Sequence, residues 1–201
     1  MGDGAARRVG LFGGSFNPPH LAHRALARVA RDTLGLDELR WLPAGAPWQK
    51  PAQDLAPAAD RAAMVRLLLA DEPGMQLDER ELHRAGPSYT RDTVAEVRQE
   101  QPGAELWLVI GQDQYANLAT WRDAAQWRAL VRFAVAARDG QPPRPPTGWD
   151  ASNHQRVVLP LPEHPISATR IRQMIAAGQP VSSLVGLEVA RYIDQHRLYR
   201  A

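Results

Sequence analysis

Residues 9–23, VGLFGGSFNPPHLAH, constrain this chain more than any other stretch. Val9, Leu11 and Phe12 form a short apolar run of strand type, closed by Gly13-Gly14 and then by Pro18-Pro19. Beyond the prolines, Leu21, Ala25, Leu26, Val29 and Ala30 recur at helical spacing. The order is strand, glycine turn, helix. Such a unit turns backbone N–H groups and the positive end of a helix toward an anion, most often a phosphate. Glycine suits the turn because a Cβ would hold the main chain away from the ligand.

His20 and His23 stand at the mouth of that helix, three residues apart on one face. The spacing admits three readings: a zinc pair, two buried structural histidines, or donors to phosphate oxygens. The chain has no cysteine, and no nearby carboxylate is spaced as a third zinc ligand. A glycine turn beside a helix N-terminus favours phosphate, where each imidazole donates to oxygens that gain charge in a transition state.

The remaining sequence places this motif in an α/β chain. Strands are expected at 38–45, 75–80, 105–111, 132–140 and 157–162, with helices at 60–70, from Ser88 or Thr90 onward, and at 123–130, 168–177 and 187–196. Asp60 is the expected cap of the helix over 60–70. Residues 141–153, with four prolines and Gly148, read as an exposed loop. Strands alternating with helices predict a Rossmann-like, mostly parallel sheet with helices on both faces. A length of 201 residues suits a single domain over 1–201. Such sheets bind ligands at the carboxyl ends of their strands, where Gly13-Gly14, Lys50, Gly111, Asp113 and Arg138 are expected.

Composition narrows the classes. A formal net charge of +2 gives no bulk field for nucleic acid. No apolar run approaches the roughly 18 residues of a membrane span, and MGDGAARR lacks the apolar core of a signal peptide. Without cysteine there are no disulfides and no thiol catalysis. A cytoplasmic protein is expected, working without nucleic acid or membrane; whether it forms a homo-oligomer is open. Lys50 is the only lysine, so the other basic side chains are arginines.

ISATRIR at 166–172 is a second phosphate-type element: Ser167 and Thr169 are good cap residues, and Arg172 adds a cation at a helix N-terminus. GGSFNPPHLAH resembles the GG(S/T)FDPxHxGH signature of the nucleotidyltransferases related to class I aminoacyl-tRNA synthetases, and ISATRIR resembles their ISSTxIR motif. Within that superfamily, SYTRDT at 88–93 and GQDQYANLATW at 111–121 are similar to segments of the bacterial nicotinate-nucleotide adenylyltransferase family. Asn17 replaces the usual aspartate, Ala22 a glycine, Ala168 a serine, and Trp48-Gln49 precede the lysine in an unusual form. Asn17 cannot act as a base, which leaves hydrogen bonding or turn geometry.

The resemblance implies an adenylyltransferase using ATP and nicotinate mononucleotide, with His20, His23 and Arg172 in catalysis. It implies ATP contacts by Gly13, Gly14, Ser15, Phe16, His20, His23, Gly111, Asp113, Arg138, Ser167, Thr169 and Arg172. For the pyridine nucleotide it implies Lys50, Tyr89, Thr90, Asp113, Trp121 and Arg122, with Trp121 stacking on the ring. Mg²⁺ would ride on the ATP phosphates, with no metal held by the protein itself. The attacking phosphate is already ionised near neutrality, so no general base is needed. A phosphopantetheine or cytidylyl transferase shares the first motif but not SYTRDT or the GQD…W pair. A nucleotide-binding regulator without catalysis is the alternative from another class.

Overall fold

The computed structural model describes residues 6–47, 55–137, 143–149, 155–160 and 166–200. Six strands form one sheet: β1 (Arg8–Gly14), β2 (Glu38–Pro43), β3 (Met75–Leu77), β4 (Glu105–Gly111), β5 (Arg132–Ala136) and β6 (Arg156–Leu159), in the order β3-β2-β1-β4-β5-β6. The β1–β4, β4–β5 and β5–β6 pairs are parallel, with Leu11 against Leu108 and Leu108 against Phe133. This is the doubly wound order, which reverses between β1 and β4. β4 reads ELWLVIG with five consecutive buried residues, as expected of a strand covered on both faces.

Among the described residues the helices are α1 (Leu21–Leu34), α2 (Ala58–Leu68), α3 (Arg80–His83), α4 (Thr90–Glu100), α5 (Gln112–Ala116), α6 (Ala124–Trp127), α7 (Ala168–Ala176), α8 (Ser182–Val185) and α9 (Leu187–Gln195). The chain divides into two compact units. One comprises Met1–Phe12, Leu26–Arg40 and Tyr89–Glu163; the other comprises Gly13–Ala25, Trp41–Ser88 and His164–Ala201.

The first unit is built on Val9, Leu39, Val94, Val97, Val109, Tyr115, Phe133, Val135 and Leu159, all fully buried. At the start of β2, Glu38 accepts from Arg7 at 2.8 Å, from Gln101 at 3.2 Å and from Arg40. Arg40 also reaches Glu100 at 2.8 Å. Burial alone would raise the Glu38 carboxyl. The hydrogen bonds from Arg40 and Gln101, with the charges of Arg40 and Arg7, outweigh it and hold the group below the usual carboxylate range.

The second unit centres on Phe16, Trp41, Met64, Val65, Ile171, Val185 and Val189. Truncating a side chain such as Trp41 to alanine costs about 3–5 kcal/mol in a core of this kind. Gly45 is required here, because a Cβ would collide with the Glu81 carbonyl oxygen.

Several expectations are corrected. Asp60 does not cap α2: the helix starts at Ala58 behind Pro57, with no side-chain cap, and Asp60 lies in its first turn. Its carboxylate instead accepts from the Tyr192 hydroxyl of α9 at 2.8 Å. Of the two starts expected for α4, Thr90 is the first helical residue, while the Ser88 hydroxyl accepts the Gly45 and Ala46 N–H groups at 3.0 and 3.4 Å. The helix expected over 123–130 is a single α turn, α6, followed by a 3₁₀ turn over Arg128–Leu130. β3 ends at Leu77, where Asp78 turns its carboxylate onto the Arg80 N–H and guanidinium. The short helices α3, α5 and α8 have too few residues to show a period. Of the loop expected over 141–153, residues 143–149 are described and carry no helix or strand.

Burial, and then the bond to Asp60, push the Tyr192 phenol up to about 12. An unfolded tyrosine ionises near 10. Between those values the unfolded chain loses its proton first, so this pair stabilises the fold below about pH 10 and is lost as pH rises toward 12. Tyr192→Phe should cost about 1 kcal/mol at pH 7 and flatten the fall in stability above pH 10. Urea midpoints measured from pH 7 to 11.5 check it; an unchanged alkaline slope would refute the linkage.

Candidate active site

In the second unit the glycine turn is held by its own chemistry. A Cβ on Gly13 would meet nothing within 4 Å, so that face of the turn is open. A Cβ on Gly14 would press on the Phe16 ring at 3.1–3.3 Å. Phe16 sits in the left-handed region at φ 44° and is buried, 5.2 Å from the Trp41 ring and edge-on to His23 at 5.1 Å. The Gly14 carbonyl accepts from the Ala44 N–H at 2.9 Å. Asn17 is buried beside a cis bond to Pro18, and its side-chain oxygen accepts the Ala56 N–H at 3.0 Å. The Asn17 side chain thus holds the turn as a hydrogen-bond acceptor.

His20 stands immediately before α1, and its carbonyl accepts from the N–H groups of His23 and Arg24. In return, His23 Nδ1 accepts the His20 N–H at 3.2 Å. This is the reciprocal logic of a capping box, with an imidazole in the place of Glu or Gln. The two rings stack with centroids 3.6 Å apart and 22° between planes. Because Nδ1 is the acceptor, the proton of the neutral His23 ring lies on Nε2, which is left as a donor. His20 is 6% exposed.

ISATRIR folds as expected. Ser167 caps α7, its hydroxyl accepting the Arg170 N–H at 3.3 Å. Arg172 donates to the Asn17 carbonyl at 2.8 Å and, at 3.5 Å, to the Thr169 hydroxyl. The two phosphate-type motifs, 155 residues apart in sequence, are thus joined by a hydrogen bond. Arg61 of α2 was not singled out by sequence reading. Only 1% exposed, it donates from Nε to the Ala56 carbonyl at 3.0 Å and from its guanidinium tip to the Ser15 carbonyl at 2.9 Å. Its spacing gives a signal, since Arg61, Met64, Val65 and Leu68 lie on the buried stripe of α2.

In the first unit, Gly111 ends β4, and a Cβ on it would meet nothing within 4 Å. Asp113 lies in the first turn of α5 and is exposed. Tyr89 precedes α4 and Thr90 opens it. The Tyr89 ring has the Arg91 and Arg122 guanidiniums at 5.8 and 5.9 Å from its centroid. Both arginines pair with Asp123, Arg122 at 3.4 Å. Asp123 is itself at φ 51°. Trp121 lies 6.2 Å from Trp127, and its indole N–H is buried without a hydrogen-bond partner among the described residues. Tyr89, Thr90, Trp121 and Arg122 therefore fall in one neighbourhood, to which the structure adds Arg91 and Asp123. Lys50, Arg138 and the Trp48-Gln49 departure lie outside the described residues.

Among the described residues no three His, Cys, Asp or Glu side chains group as a metal cage. None of the described helices is long and apolar enough to cross a membrane.

Comparison with known proteins agrees with these motifs. Residues 11–174 match the cytidylyltransferase-like family model. A protein of Methylibium petroleiphilum named "Probable nicotinate-nucleotide adenylyltransferase" is 49% identical over 96% of this chain and 92% of its own length. A Chromobacterium violaceum protein of the same name is 42% identical over 96% and 99%. The backbone is similar to a solved Plasmodium falciparum nicotinic acid mononucleotide adenylyltransferase complexed with NaAD, with TM-score 0.79, 16% identity, and coverage of 96% and 97%. That last likeness bears on fold alone. With its glycine turn, paired histidines and ISATRIR helix, the chain belongs to the nicotinate-nucleotide adenylyltransferases of the cytidylyltransferase-like family.

Proposed function

We propose that this chain acts as one nucleotidyltransferase domain that transfers the adenylyl group of ATP to nicotinate mononucleotide. The products are deamido-NAD and pyrophosphate, a step of NAD biosynthesis, and the setting is cytoplasmic. The observation that carries the reading is the bond from Arg172 to the Asn17 carbonyl, which unites the two phosphate motifs. Relatives sharing 42–49% of its residues over nearly their whole length support it.

The chemistry is an in-line attack. A phosphate oxygen of nicotinate mononucleotide forms a bond to the α-phosphorus of ATP, and the bond to the bridging oxygen of pyrophosphate breaks. The nucleophile is already ionised, so this chain's residues supply position and charge rather than a base. His23 donates from Nε2, and His20 stacks on it at the helix mouth, toward oxygens that gain charge as the bond breaks. Gly13, Gly14, Ser15 and Phe16 supply the turn, while Ser167, Thr169 and Arg172 receive the outer phosphates. Gly111, Asp113 and Arg138 meet the adenosine side, with Asp113 as an acceptor for ribose hydroxyls. Lys50, Tyr89, Thr90, Trp121 and Arg122 serve the pyridine nucleotide. The phosphate motifs offer imidazoles, hydroxyls and guanidinium, which suit phosphate oxygens and not a hard cation. Mg²⁺ therefore enters with ATP as part of the substrate.

The test is incubation with ATP, Mg²⁺ and nicotinate mononucleotide, with products resolved by chromatography. Equal amounts of deamido-NAD and pyrophosphate are expected. ATP binding without turnover on any pyridine mononucleotide would overturn the reading and favour a regulator.

A further inference from the structure

Two guanidiniums hold carbonyls of the glycine turn. Arg172 holds the Asn17 carbonyl at 2.8 Å and Arg61 holds the Ser15 carbonyl at 2.9 Å, one on each side of the left-handed Phe16. Among the described residues no carboxylate pairs with either arginine; the nearby Asp60 is engaged by Tyr192 and, at 3.7 Å, by His196. The Tyr199 hydroxyl lies in the field of both charges and of the Asp60 carboxylate. It is buried without a hydrogen-bond partner among the described residues, and burial keeps it protonated. Burial also pulls the Arg61 guanidinium below its ordinary value.

An arginine in this position needs a reason. It occupies the core stripe of α2, where an apolar side chain would avoid the cost of burying an unpaired charge. It donates to two main-chain carbonyls of separate segments, Ser15 and Ala56, so one planar fork ties the turn to the start of α2. In a trans peptide the C=O and the following N–H point in opposite directions. Fixing the Ser15 carbonyl on Arg61 therefore points the Phe16 N–H in the opposite direction within that peptide plane. The Gly14 carbonyl, held by Ala44, orients the Ser15 N–H in the same way.

We propose that Arg61 is a positioning residue for adenylyl transfer, setting the glycine turn, together with Arg172, for the ATP phosphates before they arrive. It acts through the turn and touches no substrate. This rests on the proposed use of ATP, and it assigns the preorganisation to a residue outside the recognised motifs.

The experiment compares wild type, Arg61→Lys and Arg61→Met by ATP binding without pyridine nucleotide and by steady-state kinetics, with circular dichroism as a folding control. Lysine keeps the charge but cannot bridge two carbonyls with a planar fork. Both variants should bind ATP roughly fivefold or more weakly, as for loss of one or two hydrogen bonds. The KM for nicotinate mononucleotide should change by less than about twofold. A folded Arg61→Lys with wild-type ATP binding would overturn the proposal. So would equal damage to both substrates, or failure of Arg61→Lys to fold, each of which assigns Arg61 to the fold alone. If wild type binds ATP without making deamido-NAD, the functional reading fails while the binding comparison still decides the role of Arg61. No ATP binding by wild type overturns both.

Discussion

Replacing His23 by alanine is expected to lower kcat by roughly 10²–10³-fold, the loss seen when one transition-state donor is removed. The argument starts at Nδ1, which accepts the His20 N–H at 3.2 Å. That bond fixes the ring and leaves the Nε2 proton as a donor. Alanine removes both the donor and the cap, and the cap alone is worth about 0.5–2 kcal/mol of stability. His23→Asn separates the two, since its side-chain oxygen can keep the His20 N–H while the outward donor is gone. Stability near wild type with kcat still reduced by about 10²-fold is the expected result. His20→Ala should also lose on the order of 10²-fold, because the ring stacks on His23 at 3.6 Å and both stand at the helix N-terminus. Stopped assays of pyrophosphate release measure each. Wild-type kcat in a folded His23→Asn would remove the imidazole from the chemistry.

The sequence made the sheet legible because parallel strands buried on both faces appear as continuous apolar runs. ELWLVIG and the run after Arg8 are of this kind, and both fall where expected. Motif residues were legible because glycines, prolines and histidines crowd into one short segment. Contacts made through backbone carbonyls were not legible. Arg61 and Arg172 both bond main-chain oxygens, which no residue type in the turn announces. Asp60 misled for a related reason. A carboxylate at the start of an apolar stripe is a normal cap signal, yet Pro57 precedes the helix and a tyrosine 132 residues later takes the carboxylate. Arg91 and Asp123 were missed because an ion pair 32 residues apart has no local pattern.

The acid form of the mononucleotide should be used with kcat/KM at least about tenfold above the amide form. The two differ by a carboxylate against a carboxamide, so the side that meets this group decides. Donors are present near Tyr89: Thr90 opens α4, so its N–H lies among the groups a helix leaves without an internal partner. Arg91 and Arg122 flank the Tyr89 ring, but Asp123, which both contact, and Asp92, paired with Arg91 at 3.0 Å, offset their charges, so the discrimination falls to hydrogen-bond donors. A carboxylate satisfies such donors with both oxygens, whereas a carboxamide sets its NH₂ against an N–H and leaves groups unpaired. Unpaired buried groups cost about 1–3 kcal/mol each, which covers the tenfold margin. Thr90→Val removes one hydroxyl and should narrow the ratio by lowering use of the acid form. Trp121→Ala should reduce use of both forms together, since the proposed stacking on the ring ignores the substituent. Parallel progress curves on the two mononucleotides give the ratio. Equal or better use of the amide by wild type would show that these donors face something other than the pyridine carboxylate.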